Sequence, residues 1–206
     1  MTKVYVGMSG GVDSSLTAAL LVEQGYDVVG VYMKNWTQDL PGMKCPWADD
    51  LADAKRVAVQ LGIDFKVFDF ENEYRHKVVE YMIDEYKLGR TPNPDIMCNQ
   101  EVKFKLFLEA ALADGADMIA TGHYARVDDG ILKMAVDQNK DQTYFLYRVT
   151  GEALQKTLFP LGEFTKPHVR EMAKERRLFT AAKKDSQGIC FVGKVGIREF
   201  LSQYVQ

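Results

Sequence analysis

The fold is decided near the start of the chain, by the stretch VYVGMSGGVDSS at residues 4–15. An apolar run at residues 4–7 precedes two adjacent glycines, Gly10 and Gly11, and an amphipathic stretch follows them. This order predicts a strand, a glycine-rich turn and a helix. Adjacent glycines let the backbone approach a polyanion, and the N–H groups of a helix N-terminus favour negative charge. The stretch therefore predicts a phosphate-binding loop, with a plain strand-to-helix connection as the alternative.

This loop differs from a Walker A loop in one chemical respect. A Walker A sequence would place Gly-Lys-Ser/Thr here, and its lysine would reach the β and γ phosphates. Residues 7–15 contain no lysine. We therefore do not expect transfer of a γ-phosphoryl group.

Strand and helix patterns alternate along the chain. Strand patterns occupy residues 3–7, 27–33, 64–70 and 118–121, and helical patterns occupy residues 13–24, 49–61, 71–88 and 101–113. The alternation predicts an α/β fold with a doubly wound parallel sheet. The carboxyl ends of parallel strands share one edge, so we expect the glycine-rich loop, Met33 and Gly122 to lie together there. Later patterns predict a hairpin at residues 124–136, a helix from Thr165 to about residue 177 and a short strand at residues 189–192.

Length and composition set modest bounds. The 206 residues are 47% hydrophobic and 27% charged, without an apolar run of about 18 residues or a signal-peptide pattern. We expect a cytoplasmic protein without a membrane partner. Residues 1–138 are predicted to form the first domain, and residues 139–206 a basic extension that begins a second, smaller domain.

The charges are distributed unevenly. Residues 1–138 carry 14 Lys and Arg against 22 Asp and Glu, whereas residues 139–206 carry 12 against 7. A row of cations in the second segment would track a nucleic-acid backbone, and a solvated helix face is the alternative. The row consists of Lys166, Arg170, Lys174, Arg176, Arg177, Lys183 and Lys184.

The three cysteines, Cys45, Cys98 and Cys190, are widely spaced and include no C-x-x-C pair. This spacing argues against a structural zinc site and against a disulfide framework. A lone cysteine is usually a small buried hydrophobic residue, and we keep that interpretation for Cys45.

Five segments together resemble the tRNA-specific 2-thiouridylases, and the first of them resembles the PP-loop of the ATP pyrophosphatases. The segments are SGGVDS at residues 9–14, NPDIMCNQEVKF at 93–104, ATGHY at 120–124, KDQTYF at 140–145 and DSQGICF at 185–191. The resemblance implies an adenine nucleotide alpha hydrolase-like domain. It also implies ATP-dependent conversion of a wobble uridine to 2-thiouridine, with release of AMP and pyrophosphate.

The resemblance implies an ATP site with Mg²⁺ bound near Asp13, although Asp13 as the helix N-cap is the alternative. The implied ATP-binding residues are Gly7, Met8, Ser9, Gly10, Gly11, Val12, Asp13, Ser14, Met33 and Gly122.

The resemblance also implies the residues that handle sulfur and the base. Cys190 would carry a persulfide received from a donor protein, and Cys98 would be the second catalytic thiol. Transfer would leave a disulfide between them that must be reduced. Asn93, Pro94 and Asp95 would contact the target base, with Asp95 also moving a proton. We expect Cys98 just before a helix that begins near residue 99, where the helix N-terminus and Lys103 would activate its thiol.

Three alternatives stay open for these residues. Asn93, Pro94 and Asp95 are also typical of a plain turn. Asp95, Cys98 and Cys190 are also a possible set of iron–sulfur ligands. A PP-loop ATP pyrophosphatase acting on a small molecule would share the loop but would need no thiols.

The implied partners are a sulfur-donor protein and tRNA, with the wobble uridine of Lys, Glu and Gln type isoacceptors as target. Lys140, Asp141 and Gln142 would contact the tRNA, and a helix cap is the alternative. His123 would line the site or be structural. The aromatic residues that would stack on the base are Trp36, Trp47, Tyr124 and Tyr144.

The resembling family has a longer chain with a C-terminal β-rich domain that helps to bind tRNA. We therefore predict that residues 1–206 bind ATP but bind and modify tRNA weakly, if at all.

Overall fold

The structure is a computed structural model that describes residues 1–39, 45–185, 200–202 and 204. Five parallel strands form one sheet in the order β3-β2-β1-β4-β7, and two antiparallel strands, β5 and β6, form a separate hairpin. The strands are β1 Lys3–Gly7, β2 Asp27–Lys34, β3 Asp64–Asp69, β4 Met118–Ala120, β5 Arg126–Asp128, β6 Ile131–Lys133 and β7 Thr157–Leu158. The predicted α/β fold with a parallel sheet is confirmed.

Helices connect the strands of the sheet. They are α1 Val12–Glu23, α2 Trp47–Leu61, α3 Glu71–Tyr74, α4 Tyr81–Lys87, α5 Pro94–Met97, α6 Phe107–Ala113, α7 Gly151–Gln155 and α8 Lys166–Glu175. Two π-helical segments, Arg75–Glu80 and Cys98–Leu106, join α3 to α4 and α5 to α6. Within the described residues, no helix is both long enough and apolar enough to cross a membrane.

The sheet is covered on both faces, as its alternating side chains require. Val4 and Val6 pack with α1 and α2 on one face, whereas Tyr5 packs on the other face with Met82 of α4 and Phe107 of α6. Strands buried on both faces are typical of parallel sheets in doubly wound folds.

The strand order places a crevice next to β1. The chain runs from β1 to β2 and β3 on one side and then returns to β4 on the other side of β1. Ligands of doubly wound proteins bind at such a point, beyond the carboxyl ends of the two strands. Here the loop after β1 and Gly122 after β4 meet.

Residues beyond 138 contribute to the same sheet. β7 pairs with β4 through Ile119 and Thr157, and α8 packs on α1. The domain division after residue 138 remains a prediction, and the predicted strand at residues 189–192 lies outside the described residues.

Helices α1 and α8 run parallel and are joined at both ends by ion pairs. Lys166 at the start of α8 pairs with Asp13 at the start of α1, and Arg176 beyond the end of α8 pairs with Glu23 at the end of α1. Each pair joins residues 153 positions apart. The equal separation means that both helices advance in the same direction from the glycine-rich loop.

Gly10 should tolerate a side chain less well than other glycines with positive φ. Its φ is +75°, and an added Cβ would lie 2.4 Å from the backbone oxygen of Asp50 in α2. Gly25 is the matched control, because its φ is +84° but no atom lies within 4 Å of an added Cβ. We expect Gly25→Ala to lower the free energy of unfolding by about 1–2 kcal/mol, from backbone strain alone. Gly10→Ala should lower it clearly further in urea denaturation, and equal losses would contradict this close approach of α2 to the loop.

Candidate functional site

The conformation of the loop after β1 is stabilised by hydrogen bonds between its own hydroxyl and backbone groups. The N-cap of α1 is Gly11, which provides no side-chain acceptor for the N–H groups of the first helical turn. The Ser14 hydroxyl accepts a hydrogen bond from the Ser9 N–H (3.2 Å) and donates one to the Gly11 carbonyl (3.2 Å). The N–H groups at the start of α1 therefore have no side-chain cap, and such a helix N-terminus favours an anion. The expectation that Asp13 caps this helix is wrong, since Gly11 occupies that position.

The predicted ATP-binding residues outside the loop lie against it. A Cβ added to Gly7 would lie 3.0 Å from the terminal methyl of Met33. A Cβ added to Gly122 would lie 2.9 Å from the Ser14 nitrogen and 3.1 Å from the Asp13 Cβ. Because Gly122 has no side chain, the segment after β4 can approach the loop this closely.

Asp13 faces a buried cation. Both of its carboxylate oxygens accept hydrogen bonds from the Lys166 ammonium, at 2.7 and 2.8 Å, and one also accepts from the Tyr124 hydroxyl at 2.9 Å. Lys166 is only 7% exposed. Burial, together with the neighbouring Asp13 charge, raises the pKa of Tyr124, so this hydroxyl remains a donor. In this arrangement Asp13 is engaged by Lys166 and Tyr124, and Mg²⁺ binding near it remains a prediction.

The network continues to Asp185. Its carboxylate pairs with Lys166 at 2.9 Å, with Lys140 at 3.2 Å and with Arg170. Burial alone would raise the pKa of Asp185, but the hydrogen bond and charge of Lys166, with help from Lys140 and Arg170, lower it. Asp185 is thus an ionised partner shared by three cations.

Most cations of the predicted basic row form ion pairs with carboxylates of the same chain. Lys166 and Arg170 bind Asp185, and Arg176 binds Glu23. Lys183 binds Asp50 and Asp53 at 2.8 and 2.7 Å. The expectation that these cations follow a nucleic-acid backbone, or form a solvated face, is wrong for Lys166, because that side chain is buried.

The segment that contains Asp95 and Cys98 is helical earlier than expected. The helix begins at Pro94, and the side chain of Asn93 caps it by accepting the Asp95 N–H at 3.0 Å. The predicted start near residue 99 is wrong, and so is the plain-turn alternative. Cys98 therefore lies beyond the first helical turn, where the influence of the helix N-terminus on a thiol is weak.

Asp95 and Cys98 occupy different environments. Cys98 is 1% exposed and belongs to the main hydrophobic cluster. Asp95 is partly buried, and burial raises the pKa of its carboxyl although the Lys103 charge acts in the opposite direction. The second predicted thiol, Cys190, lies outside the described residues, as do Ser186, Gln187 and Gly188. Within the described ranges, no group of three His, Cys, Asp or Glu residues is placed to hold a metal ion.

His123 links this helix to the end of β4. Its ring nitrogen lies 2.8 Å from the Thr121 hydroxyl, and its ring packs 5.6 Å from Phe104. Burial, aided by the Lys103 charge, lowers the pKa of His123 well below its ordinary range. A neutral, packed imidazole favours the structural interpretation of His123. Since Phe104 belongs to the π-helical segment that begins at Cys98, its contact with His123 places this segment close to the carboxyl end of β4.

The predicted tRNA-contacting residues differ in how free they are. Asp141 accepts the Ala135 N–H at 2.7 Å, and the Gln142 side chain accepts the Tyr124 N–H at 2.9 Å. Gln142 occupies the N-cap position of the 3₁₀ helix Thr143–Phe145, although its side chain makes no capping hydrogen bond. The Asp141 carboxylate accepts the Thr143 N–H at 3.3 Å, so the helix-cap alternative fits Asp141. Lys140 is exposed and reaches Asp185. Contact of these three residues with tRNA remains a prediction.

The four predicted stacking residues are also separated by the structure. Tyr124 is 2% exposed and bound to Asp13, so stacking of a base on it is excluded here. Tyr144 is 60% exposed, and Trp36 and Trp47 are partly buried.

The network of Asp13, Tyr124, Lys166 and Asp185 was not found from the sequence. Its members come from the loop, the end of β4, the start of α8 and the segment after α8. No local spacing connects residues 153 positions apart, so the only available signal was that a loop carboxylate needs a partner.

A parallel sheet with a glycine-rich loop at its topological switch point defines an α/β protein of the PP-loop type. A family model described as the tRNA methyl transferase HUP domain matches residues 2–194, and the chain belongs to this family. Proteins named tRNA-specific 2-thiouridylase MnmA are similar to it, with 58% identity in Bacillus licheniformis and 57% in Bacillus anthracis. Each alignment covers 99% of this chain and 56% of the relative, so the chain spans little more than half the length of these curated relatives.

The fold is shared with a distant solved structure. A 4-thiouridine synthetase in complex with RNA and bound ATP superimposes with a TM-score of 0.60 at 18% identity. The superposition covers 99% of this chain and 50% of that protein. At this identity the comparison establishes the fold alone.

Asp95 should destabilise the folded chain at neutral pH. Because folding raises the pKa of this carboxyl above 3.8, its folded form binds a proton more tightly than its unfolded form. Stability is then greatest below the unfolded value and is lost as the pH rises through the folded value. We expect Asp95→Asn to raise Tm at pH 7, by about 2–4 °C for each kcal/mol removed, and to have a smaller effect at pH 4.

The matched control has the opposite sign. Hydrogen bonds from Lys66 and Tyr5 lower the pKa of Asp114, so Asp114→Asn should lower Tm at pH 7. Calorimetric unfolding of both variants at the two pH values checks the assignment. A fall in Tm for Asp95→Asn at pH 7 would contradict it.

Proposed function

We propose that this chain is the ATP-binding, sulfur-transferring part of a tRNA 2-thiouridylase. One observation carries the proposal: the glycine-rich loop and the helix that contains Asp95 and Cys98 meet around the carboxyl end of β4. Gly122 contacts the loop from this strand end, and the next residue, His123, contacts the helix. The names of the relatives support tRNA as the substrate.

The first step is activation of the base. Carbon 2 of uridine belongs to a urea-like carbonyl, and its oxygen is a poor leaving group. Attack of this oxygen on the α-phosphorus of ATP expels pyrophosphate and leaves AMP bonded to the oxygen. The N–H groups at the start of α1 and the hydroxyls of Ser9 and Ser14 would hold the phosphates. Met33 and Gly122 would contact the adenosine, and Mg²⁺ would neutralise developing charge.

The second step is sulfur transfer. The terminal sulfur of a Cys190 persulfide attacks carbon 2, and AMP leaves. The Cys98 thiolate then attacks the Cys190 sulfur, which breaks the sulfur–sulfur bond and leaves 2-thiouridine. The product on the protein is a Cys98–Cys190 disulfide, and an external thiol must supply two electrons to reduce it before the next turnover.

Chain connectivity supports a meeting of these groups. Asp185 binds Lys166, and Lys166 binds Asp13 in the loop. Cys190 follows Asp185 by five residues, and five residues span at most about 18 Å. The proposal therefore requires the Cys190 thiol to lie within that distance of Asp185.

Asp95 is suited to move a proton during these steps. Partial burial raises the pKa of its carboxyl, which makes its carboxylate a stronger proton acceptor than that of an exposed aspartate. Asn93 and Pro94 would help to hold the base next to it, in a helix start already fixed by the Asn93 cap.

The tRNA would approach over exposed residues near this site. Lys140 is exposed, and Tyr144 offers an exposed ring for stacking. The proposed targets are wobble uridines of Lys, Glu and Gln type isoacceptors, with a separate protein as the sulfur donor.

Replacement of each cysteine in turn tests the proposal. Cys98→Ser and Cys190→Ser should each lower the formation of 2-thiouridine by at least about 10³-fold, because both remove a nucleophile. Cys45→Ser is the matched control and should retain activity, since burial raises the pKa of this thiol and it lies in another loop. Mass spectrometry of tRNA after incubation with ATP, Mg²⁺ and a persulfide donor, without free sulfide, measures the exchange of oxygen for sulfur.

ATP consumption distinguishes the two steps. Release of labelled pyrophosphate in the presence of tRNA should persist in both cysteine variants, because activation of the base precedes sulfur transfer. Sustained thiolation by Cys190→Ser would refute the relay. Turnover of ATP with a small molecule, independent of tRNA and of both thiols, would favour a different PP-loop enzyme. Iron and sulfide found in the protein after anaerobic purification would favour an iron–sulfur cluster over the Cys190 persulfide as the sulfur chemistry of this site.

A further inference from the structure

The chain returns from the end of α8 to the glycine-rich loop along one face of α2. Helix α8 begins beside the loop, where Lys166 pairs with Asp13, and points away from it. The chain must then run back over residues 177–185, because Asp185 pairs with the same Lys166. We call residues 177–185 the return segment. Its last residue, Asp185, begins the DSQGICF motif that contains Cys190.

The first contacts of the return segment lie near the C-terminal end of α2. The Gln60 side chain donates a hydrogen bond to the Arg177 carbonyl at 2.8 Å and accepts one from the Phe179 N–H at 3.1 Å. One turn earlier in α2, the Arg56 guanidinium lies 4.8 Å from the centre of the Phe179 ring. Positions 56 and 60 of a helix share one face, so this face of α2 contacts the start of the return segment.

The next contact is an ion-pair cluster nearer the N-terminal end of α2. The Lys183 ammonium lies 2.8 Å from the Asp50 carboxylate and 2.7 Å from the Asp53 carboxylate, and the Asp53 side chain is mostly buried. Both aspartates lie on the face of α2 that also contains positions 56 and 60. Asp50 approaches the glycine-rich loop as well, since a Cβ added to Gly10 would lie 2.4 Å from the Asp50 backbone oxygen. The return segment therefore runs antiparallel to α2 and reaches the loop region at Lys183.

Attachment of the return segment does not depend on the Lys183 side chain. Leu178 and Ala181 are buried in the apolar cluster formed with α1 and α8. The Arg170 guanidinium donates to the Lys183 carbonyl at 3.0 Å, a bond that any residue at position 183 could accept. The ammonium instead holds together two carboxylates that would otherwise repel each other. Its ion pairs thus fix the direction of the chain two residues beyond the apolar contact of Ala181.

We propose that Lys183 is a positioning residue for Cys190, and that its ion pairs with Asp50 and Asp53 set the point from which the chain continues to the sulfur-carrying thiol. The inference rests on the proposed function, because that function requires Cys190 to reach Cys98. The Lys183 ammonium contacts neither the base nor the nucleotide in this proposal. Its loss should lower the effective concentration of the Cys190 thiol at Cys98.

Disulfide formation between the two thiols measures this positioning and needs neither tRNA nor ATP. Every protein tested carries Cys45→Ser, so that Cys98 and Cys190 are its two remaining cysteines. Each protein is equilibrated with reduced and oxidised glutathione. Two electrons pass from the two protein thiols to oxidised glutathione, which becomes two molecules of reduced glutathione. Mass spectrometry after alkylation gives the fraction of disulfide, and from it the effective concentration.

The test must separate the ion pairs of Lys183 from its charge. Lys183→Met should lower the effective concentration by about 5- to 20-fold, because it removes two partly exposed ion pairs. The double variant Asp50→Asn/Asp53→Asn should lower it by a similar factor, although it keeps the cation. Lys66→Met is the matched control and should stay within about twofold of the wild type, since its ion pair with Asp114 lies outside the return segment.

The outcomes are distinct. A fall shared by Lys183→Met and the double aspartate variant supports positioning, because a merely stabilising ion pair would change the free energy of unfolding but not the effective concentration in the folded protein. An unchanged value in both variants overturns the inference.

A fall in Lys183→Met alone also overturns it, since the cation would then act on a thiol through its charge. If Lys183→Met does not fold, the double aspartate variant decides. Absence of a Cys98–Cys190 disulfide in the protein with native Lys183, Asp50 and Asp53 would instead contradict the proposed function, and this inference with it.

Discussion

The ion pair between Lys166 and Asp13 is the interaction on which the arrangement of the site depends. It joins the first turn of α1 to the first turn of α8, two elements 153 residues apart in sequence. Lys166 is buried, whereas the Asp13 side chain is 31% exposed, so removing one partner should cost less than the roughly 3–5 kcal/mol that is typical of a fully buried pair. The pair between Arg176 and Glu23 is more exposed, and such pairs contribute about 0–1 kcal/mol. The pair between Lys166 and Asp13 therefore sets the register of α1 and α8. The apolar contact between the two helices supplies most of the free energy of their packing.

The parallel sheet makes this pairing possible and gives it a position. The return of the chain from β3 to β4 places two strand ends beside each other, and Gly122 allows them to approach without a side chain between them. β7 then extends the sheet beyond β4 and directs the following residues toward α8. A chain that ended before β7 would lack Lys166, and Asp13 would face solvent without its cation. The loop after β1 and the start of α8 thus depend on each other for their positions.

Periodicity predicted β1, β2, β3 and β4 well, because buried parallel strands and amphipathic helices leave strong local patterns, but it did not predict the two-residue strand β7. The start of the Cys98 helix was missed although its signal was present: Asn93 is a favoured N-cap, Pro94 a favoured first residue and Asp95 an acidic residue in the first turn. The burial of Lys166 and its pairing with Asp13 could not be predicted in the same way. A lysine on a polar helix normally faces solvent, and only the tertiary structure shows that its partner is the loop carboxylate.

The positions of Asp95 and Cys98 constrain how a substrate reaches the thiol. Residues three apart on a helix lie on the same face, about 5–6 Å from each other, so the Asp95 carboxyl lies one turn from Cys98 on a shared face. Asp95 is only partly buried, whereas Cys98 is covered. In the proposed function, a base that contacts Asp95 would therefore lie over the side of the helix that contains the thiol. The burial that raises the pKa of Asp95 also opposes folding. The described contacts show no structural benefit that offsets this cost. Groups of this kind are typical of functional sites. A partly buried carboxyl one turn from a buried thiol therefore distinguishes this helix from a helix that only packs against the sheet.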